Sequence, residues 1–184
     1  MAILLVLLGS ACGDPPENEM QQAQGAIDAA RAVGADQYAP EEFALAQDAL
    51  KHARDAVDQR DYRLALNHAL DSRERAQNAA KQASDHKAKA RVEADRVLTD
   101  ASAALGEARL KLRAAETARV GPSKLNDARA TIADGAQAVQ KARAAFEQGD
   151  YPAVAKSASD AIERLRLTAR DLDAMVPAAA HRRR

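Results

Sequence analysis

The stretch that decides the fold is Ala94-Asp-Arg-Val-Leu98-Thr-Asp-Ala101-Ser-Ala-Ala-Leu105-Gly-Glu-Ala108-Arg-Leu-Lys-Leu112-Arg-Ala-Ala115. Alanine and leucine alternate along it with gaps of four and three residues, at Ala94, Leu98, Ala101, Leu105, Ala108, Leu112 and Ala115. This spacing places all seven side chains on one face of an α-helix, in the seam pattern of a coiled coil. The stretch therefore predicts a helix that packs lengthwise against other helices.

The surrounding sequence extends this helix in both directions. From Tyr62 to Thr117 there is no proline, and Gly106 is the single glycine. A helix over these residues would be about 84 Å long at 1.5 Å per residue. The polar segment 81–91 is where a break would fall, with Ser84 or Asp85 as a possible cap, and the sequence leaves a continuous and a broken helix open.

Four shorter helices are predicted around the long one, at about residues 16–33, 40–59, 122–148 and 151–175. Pro40 and Pro122 suit the first turn of a helix, and residues 34–40 form a break. We expect an all-α fold, an elongated helical bundle or coiled coil in which two three-helix units share one long central helix. The first unit spans 20–90, the second spans 91–176, and a basic tail covers 177–184.

The composition agrees with long helices and a core of small side chains. Alanine accounts for 47 of the 184 residues, and aromatic residues for 3%. Alanine has the highest helix propensity, but burial of its methyl group yields only about 0.8 kcal/mol. Such a chain must gain its stability from helix length and from close approach between helices.

The net charge of zero conceals an asymmetry along the chain. Residues 12–61 contain 11 acidic and 4 basic residues, whereas residues 62–184 contain 16 acidic and 23 basic ones. The simplest interpretation is that acidic front helices pack on basic helices behind them; a basic surface for anionic lipid would need its charges gathered on one face. Lysine and arginine are mixed with acids, so a nucleic-acid partner is not expected.

An internal repeat appears when the sequence is aligned with itself at an offset of 89 residues. Residues 51–77 then match residues 140–166 at 10 of 27 positions. The match is most specific at two predicted turns, where Gln-x-Asp-Tyr ends in Asp61-Tyr62 and in Asp150-Tyr151. We interpret these four as structural turn residues, with each aspartate capping the next helix. The five aromatic residues lie at or near hairpin ends, where they are expected to close the ends of the bundle: Tyr38, Phe43, Tyr62, Phe146 and Tyr151.

The N-terminus carries the pattern of a bacterial secretion signal. An apolar run over residues 2–8 is followed by Gly9-Ser-Ala-Cys12, a segment that resembles the lipobox in which the cysteine is lipidated and becomes the mature N-terminus. Residues 1–11 are thus predicted to be a signal peptide whose start is assigned too far downstream, and residues 12–19 a lipidated tether. Cys12 is the single cysteine of the sequence, so it has no disulfide partner within the chain.

Two short motifs carry a family resemblance. Ala39-Pro-Glu-Glu-Phe-Ala-Leu-Ala46 and Arg60-Asp-Tyr-Arg-Leu-Ala65 resemble the A-P-x-E helix start and G-D-Y-x-x-A turn of an uncharacterised domain-of-unknown-function family of bacterial envelope lipoproteins. Gly149-Asp-Tyr-Pro-Ala-Val154 is similar, which indicates a second copy. The resemblance implies an envelope location and implies no activity.

No residue pattern points to catalysis, a cofactor or a metal. His52, His68, His86 and His181 stand at no metal-ligand spacing, and phosphate-binding and nucleophile motifs are missing. We therefore expect a non-enzymatic, lipid-anchored periplasmic scaffold or spacer, held at the membrane and binding an envelope protein or peptidoglycan. Two alternatives remain, a lipid-surface binder with amphipathic helices and a desiccation-type protective protein that is largely disordered in water.

Overall fold

Six helices make up the part of the chain that the structure describes. The computed structural model describes residues 14–181, with side chains up to residue 176. The helices are α1 (Glu17–Ala32), α2 (Ala35–Tyr38), α3 (Pro40–Asp58), α4 (Tyr62–Thr117), α5 (Pro122–Glu147) and α6 (Tyr151–His181). The all-α class predicted from the sequence is confirmed, and α4 is the long helix that both groups of shorter helices contact.

The contacts divide the chain after His86, inside α4, into two units. In the first unit, α1 and α3 bury Ile27, Phe43 and Leu50 together with several alanines. Over residues 62–86, the buried positions of α4 are all small: Ala65, Ala69, Ser72, Ala76, Ala79 and Ala83. Small side chains allow the helix backbones to approach closely, which compensates for the little apolar area that each alanine buries.

The second unit packs α5 and α6 against the remainder of α4. Its core is richer in large side chains, with Leu125, Ile132, Leu165 and Leu172 all buried. The predicted seam of α4 faces this core, because every one of its seven residues is buried in the cluster or packs against it. The seam prediction from residues 94–115 is confirmed.

Ion pairs and side chain–side chain hydrogen bonds between helices lie at the rim of each unit. In the first unit, Arg75 of α4 pairs with Glu42 of α3 at 3.6 Å, and Arg54 of α3 donates to Gln24 of α1 at 3.0 Å. In the second, Lys111 of α4 pairs with Asp173 of α6 at 2.6 Å. Exposed ion pairs contribute at most about 1 kcal/mol each, so they select the pairing of helices more than they stabilise it.

The interior of α4 settles the question of a helix break. The helix runs from Tyr62 to Thr117 without interruption, as the continuous alternative predicts. The Ser84 hydroxyl donates to the Ala80 carbonyl at 3.0 Å, one turn earlier in the same helix, and does not cap a new one. Serine can make this bond inside a helix, so a polar segment alone is weak grounds for a break.

Two helix boundaries differ from the prediction. Residues 35–38, which were assigned to a break, form the single-turn helix α2, whose Tyr38 side chain is buried. One turn is too short to show a periodic pattern, and this explains the error. Helix α6 was expected to end near Met175 ahead of a basic tail, but it continues through Pro177 to His181. The sequence prediction ended the helix ahead of Pro177 because a proline inside a helix removes one backbone hydrogen bond, whereas the three alanines that follow have the highest helix propensity and favour its continuation.

Candidate functional site

The turn between α3 and α4 contains the first pair of predicted turn residues. Arg60 has a left-handed backbone with φ of 60°. The Arg60 N–H donates to the Val57 carbonyl at 2.8 Å and the Asp61 N–H to the Ala56 carbonyl at 2.9 Å, which together form a Schellman motif. The Asp61 carboxylate then accepts the N–H of Leu64 at 3.0 Å and caps α4.

The turn between α5 and α6 repeats this geometry with a glycine at the left-handed position. Gly149 has φ of 76° and donates to the Phe146 carbonyl at 3.0 Å, and the Asp150 N–H donates to the Ala145 carbonyl at 2.9 Å. Asp150 accepts the N–H of Ala153 at 3.3 Å. Tyr62 and Tyr151 are the first residues of α4 and α6. Each aspartate carboxylate thus accepts a backbone N–H at the start of a helix, so both residues have a structural role.

The aromatic residues lie at helix ends within each unit. Phe43 is buried in the first turn of α3, and the Arg31 guanidinium carbon lies 5.4 Å from the centre of its ring. In the second unit, the rings of Phe146 and Tyr151 meet edge to face with their centres 5.5 Å apart. These contacts pack the ends of helices and form no open stacking surface.

Within the described residues, Ser72 is the one buried polar or charged residue. Its hydroxyl donates to the Ala46 carbonyl at 2.8 Å, across the interface between α4 and α3. Every buried side-chain nitrogen or oxygen in this part of the chain has a hydrogen-bond partner.

The histidines are less scattered than their spacing in the sequence indicates. The rings of His52 on α3 and His68 on α4 have their centres 5.5 Å apart, at an interplanar angle of 56°. His86 Nδ1 lies 2.7 Å from the Tyr38 carbonyl, so this nitrogen is the donor. The antiparallel pairing of α3 and α4 brings His52 and His68 together across 16 residues of sequence, a separation that carries no motif. No group of three histidine, cysteine or acidic side chains that could hold a metal ion occurs among the described residues.

Among the described residues, clefts at the surface lie between helix pairs, and they include the following three. A cleft of about 350 Å³ in the first unit contains His52, His68, Asp55 and Gln59. In the second unit, a cleft of about 410 Å³ between α4 and α6 is bordered by Arg166, Arg170 and the half-exposed Leu167, and also by the carboxylates of Asp100 and Glu163. Another, of about 260 Å³, lies between α4 and α5 and contains Arg109 and Arg143. Each of these two clefts of the second unit therefore contains two arginines, and the α4–α6 cleft also contains two carboxylates, whereas the cleft of the first unit contains imidazole and carboxylate groups.

The pKa shifts among the described residues come from exposed ion pairs. A hydrogen bond to Asp173 raises the pKa of Lys111, and a hydrogen bond from Arg96 lowers the pKa of Glu93. The hydrogen bond to Asp71 likewise raises the pKa of Arg75. Each of these shifts favours the charged form, which is the opposite of what a general acid or base near neutral pH requires.

Two observations concern the membrane. None of the described helices is long and apolar enough to cross a bilayer. Cys12, the predicted lipidation site, lies outside the described residues, as do the signal peptide and the first part of the tether.

Comparison with known proteins gives one similarity. Residues 18–95 match the family described as a domain of unknown function, DUF4398. The match begins in α1 and ends in α4, so it covers α2 and α3 completely. Neither the curated proteins nor the solved structures gave a match to the chain.

Proposed function

We propose that the protein is a non-catalytic helical scaffold, anchored in the bacterial envelope through a lipid on Cys12, that holds another envelope component near the membrane on its periplasmic side. The observation that supports a non-catalytic role is that every buried side-chain nitrogen or oxygen of the described region already has a hydrogen-bond partner. The one buried polar side chain of the described region, Ser72, is bonded to the backbone of a neighbouring helix. The interior of this region therefore stabilises the fold, and we expect the protein to act through its surface.

The sequence of the N-terminus supports the proposed anchor. Cys12 comes after small residues and an apolar run, and the chain between it and Glu17 contains Pro15 and Pro16. A short polar, proline-bearing segment is a suitable tether, because it separates the first helix from the lipid headgroups. Stable attachment requires more than one acyl chain, so we expect a multiply acylated cysteine.

The second unit is proposed to be a diverged copy of the matched domain. Its turn at Gly149-Asp150 has the same two backbone hydrogen bonds and the same aspartate cap as the turn at Arg60-Asp61. The family match itself ends at residue 95. A second copy would give the scaffold a second set of helix faces on which a partner can bind.

The partner surface is proposed to lie on the second unit. Its cleft between α4 and α6 combines Arg166 and Arg170 with Leu167, which is 50% exposed. A partly exposed leucine with arginines at its border is the composition of a protein interface, where arginine is enriched. Asp100 and Glu163 also border the cleft, so we expect as the partner an envelope protein that surrounds an apolar contact with groups of both charges.

The anchor is tested by expressing the full precursor with Cys12→Ser and separating soluble from membrane fractions. The protein should move from the membrane to the soluble periplasm, and mass spectrometry of the wild type should find acyl chains on Cys12. Ser10→Ala, which keeps the cysteine, is the matched control and should stay with the membrane. If Cys12→Ser remains in the membrane fraction, the anchor is disproved.

The partner surface is tested by photo-crosslinking in native envelopes. A crosslinking amino acid at Leu167 should capture a protein, and the same group at Asn126 should not, because Asn126 is exposed but borders none of the three clefts. Replacing Arg166 and Arg170 with glutamate should abolish capture at Leu167. Equal capture at both positions would argue against this surface.

A further inference from the structure

We propose that His52 and His68 form a binding site for one transition-metal dication, of which Zn²⁺ is the representative, in the cleft between α3 and α4. The two residues come from different helices and stand 16 positions apart, so the site exists only after α3 and α4 have paired. It is independent of the proposed anchor and of the proposed partner surface, which lies on the other unit.

The distance between the rings fits a shared ion. A Zn–N bond is about 2.0–2.1 Å, and adding the distance from a ring nitrogen to the ring centre puts the metal about 3.2 Å from each centre. Two imidazoles at a tetrahedral angle on one ion then have their centres about 5.2 Å apart. The observed separation is 5.5 Å, and the interplanar angle of 56° rules out face-to-face stacking. The broad χ2 torsion of histidine lets each ring turn a nitrogen toward the ion without moving the helices.

The chemistry of the cleft also suits a dication. Besides the two imidazoles, it is bordered by the Asp55 carboxylate and the Gln59 amide, and by no lysine or arginine. Imidazole is a good ligand for Zn²⁺, Cu²⁺ and Ni²⁺, and a nearby carboxylate lowers the electrostatic cost of bringing in a double positive charge. His52 is exposed and His68 half-buried, so the ion can enter from solvent.

The number of ligands determines how the site would behave. Structural zinc sites have four protein ligands and catalytic sites three, whereas this cleft supplies two. Water would complete the coordination, so binding would be weaker than in a structural site and reversible by chelators. The fold does not depend on the ion, because the core of the unit is formed by other residues.

The proposal is tested by titrating the full-length protein, after chelator treatment, with ZnCl₂ in a calorimeter. We expect one ion per chain. Loss of an outer-shell partner alone typically costs about 10- to 100-fold in metal affinity, so His52→Ala or His68→Ala should each weaken binding by at least about tenfold. Asp55→Asn should have a smaller effect, because Asp55 contributes charge and not a bond to the metal.

Two controls make the result decisive. His86→Ala and His181→Ala should retain the wild-type affinity, and circular dichroism should show the same helicity in every variant with and without EDTA. In NMR spectra of the wild type, Zn²⁺ should shift the ring signals of His52 and His68 and leave those of His86 in place, an observation that needs no variant to fold. Unchanged affinity in both His52→Ala and His68→Ala, or zinc-dependent dimerisation through these residues, would overturn the proposal.

Discussion

A Cβ atom at Gly135 on α5 would lie 2.8 Å from both terminal methyl carbons of Leu165 on α6. Leu165 is fully buried, so a shift of its side chain would have to displace the residues packed around it. The lack of a side chain at Gly135 therefore makes room for the leucine opposite it. At the 89-residue offset of the internal repeat, Gly135 corresponds to Ala46 and Leu165 corresponds to Ala76. Both alanines are fully buried. The first unit thus has two small residues where the second has a glycine and a large residue.

This relationship predicts that Gly135→Ala destabilises the protein. Overpacking costs about 1–3 kcal/mol, and the higher helix propensity of alanine returns about 1 kcal/mol, so a net loss of about 1 kcal/mol is expected in urea denaturation. The effect of Leu165→Ala should be smaller by at least about 0.5 kcal/mol when Gly135 is already alanine, because contacting residues couple. Gly106→Ala is the control: no atom lies within 4 Å of its added Cβ, so it should stabilise by about 1 kcal/mol. An equal gain at both glycines would contradict the close approach.

The left-handed arginine at the turn between α3 and α4 predicts a stabilising substitution. A left-handed conformation costs a residue with a side chain about 1–2 kcal/mol, a strain that glycine does not have. Arg60→Gly should therefore raise the free energy of unfolding by about 1 kcal/mol, measured by urea denaturation. Gln59→Gly, one residue earlier at a φ of −82°, should lower it. Stabilisation by both substitutions would show that the effect does not come from the backbone conformation of residue 60.

The buried hydroxyl of Ser72 predicts a modest loss on substitution by alanine. The Ala46 carbonyl that accepts its hydrogen bond lies inside α3, where carbonyls also accept helix bonds, so it is not left without a partner. Ser72→Ala should cost about 0.5–1.5 kcal/mol, the usual net value of one hydrogen bond. Ser84→Ala, in which the lost hydroxyl bonded only within its own helix on the surface, should be neutral or stabilising by about 0.5 kcal/mol. Thermal or urea denaturation of the two variants checks this prediction. A larger loss of stability in Ser84→Ala than in Ser72→Ala would contradict it.

The two aspartate caps predict equivalent losses in the two units. Asp61→Ala and Asp150→Ala each remove the acceptor of one N–H at a helix start, which costs about 1 kcal/mol in typical proteins. Asparagine at either position keeps the acceptor and should retain most of the stability. Urea denaturation of the four variants checks this. If asparagine is as damaging as alanine, the aspartates do not act as caps.

The packed cores predict a cooperative thermal transition and no gain of helix on liposomes. A largely disordered protective protein would lose its circular-dichroism signal gradually, and an amphipathic lipid binder would gain helicity on anionic vesicles. Here the apolar faces of α3, α5 and α6 are already buried against α4. A gradual melt, or a large rise in helicity with phosphatidylglycerol vesicles, would favour one of these alternatives over the scaffold.

Particular residues show what the sequence by itself determined. The 4-3 spacing of Ala94 through Ala115 was enough to predict the buried face of α4 over that stretch. The absence of proline between Tyr62 and Thr117 indicated that the helix could be continuous. The prolines at 40 and 122 marked the starts of α3 and α5. These features could be read directly because helix periodicity, helix starts and helix breaks depend on residues close together in the chain.

Only the tertiary structure decided which side chains meet across helices. Gly135 has no apolar side chain and so gives no sign of burial in the sequence, yet it is buried against Leu165. His52 and His68 showed no ligand spacing, yet the antiparallel pairing of α3 with α4 places their rings 5.5 Å apart. In both cases the partners lie on separate helices, and their register depends on how the helices pack. Local spacing in the sequence does not contain that information, because the register is set by contacts between residues that are far apart in the chain.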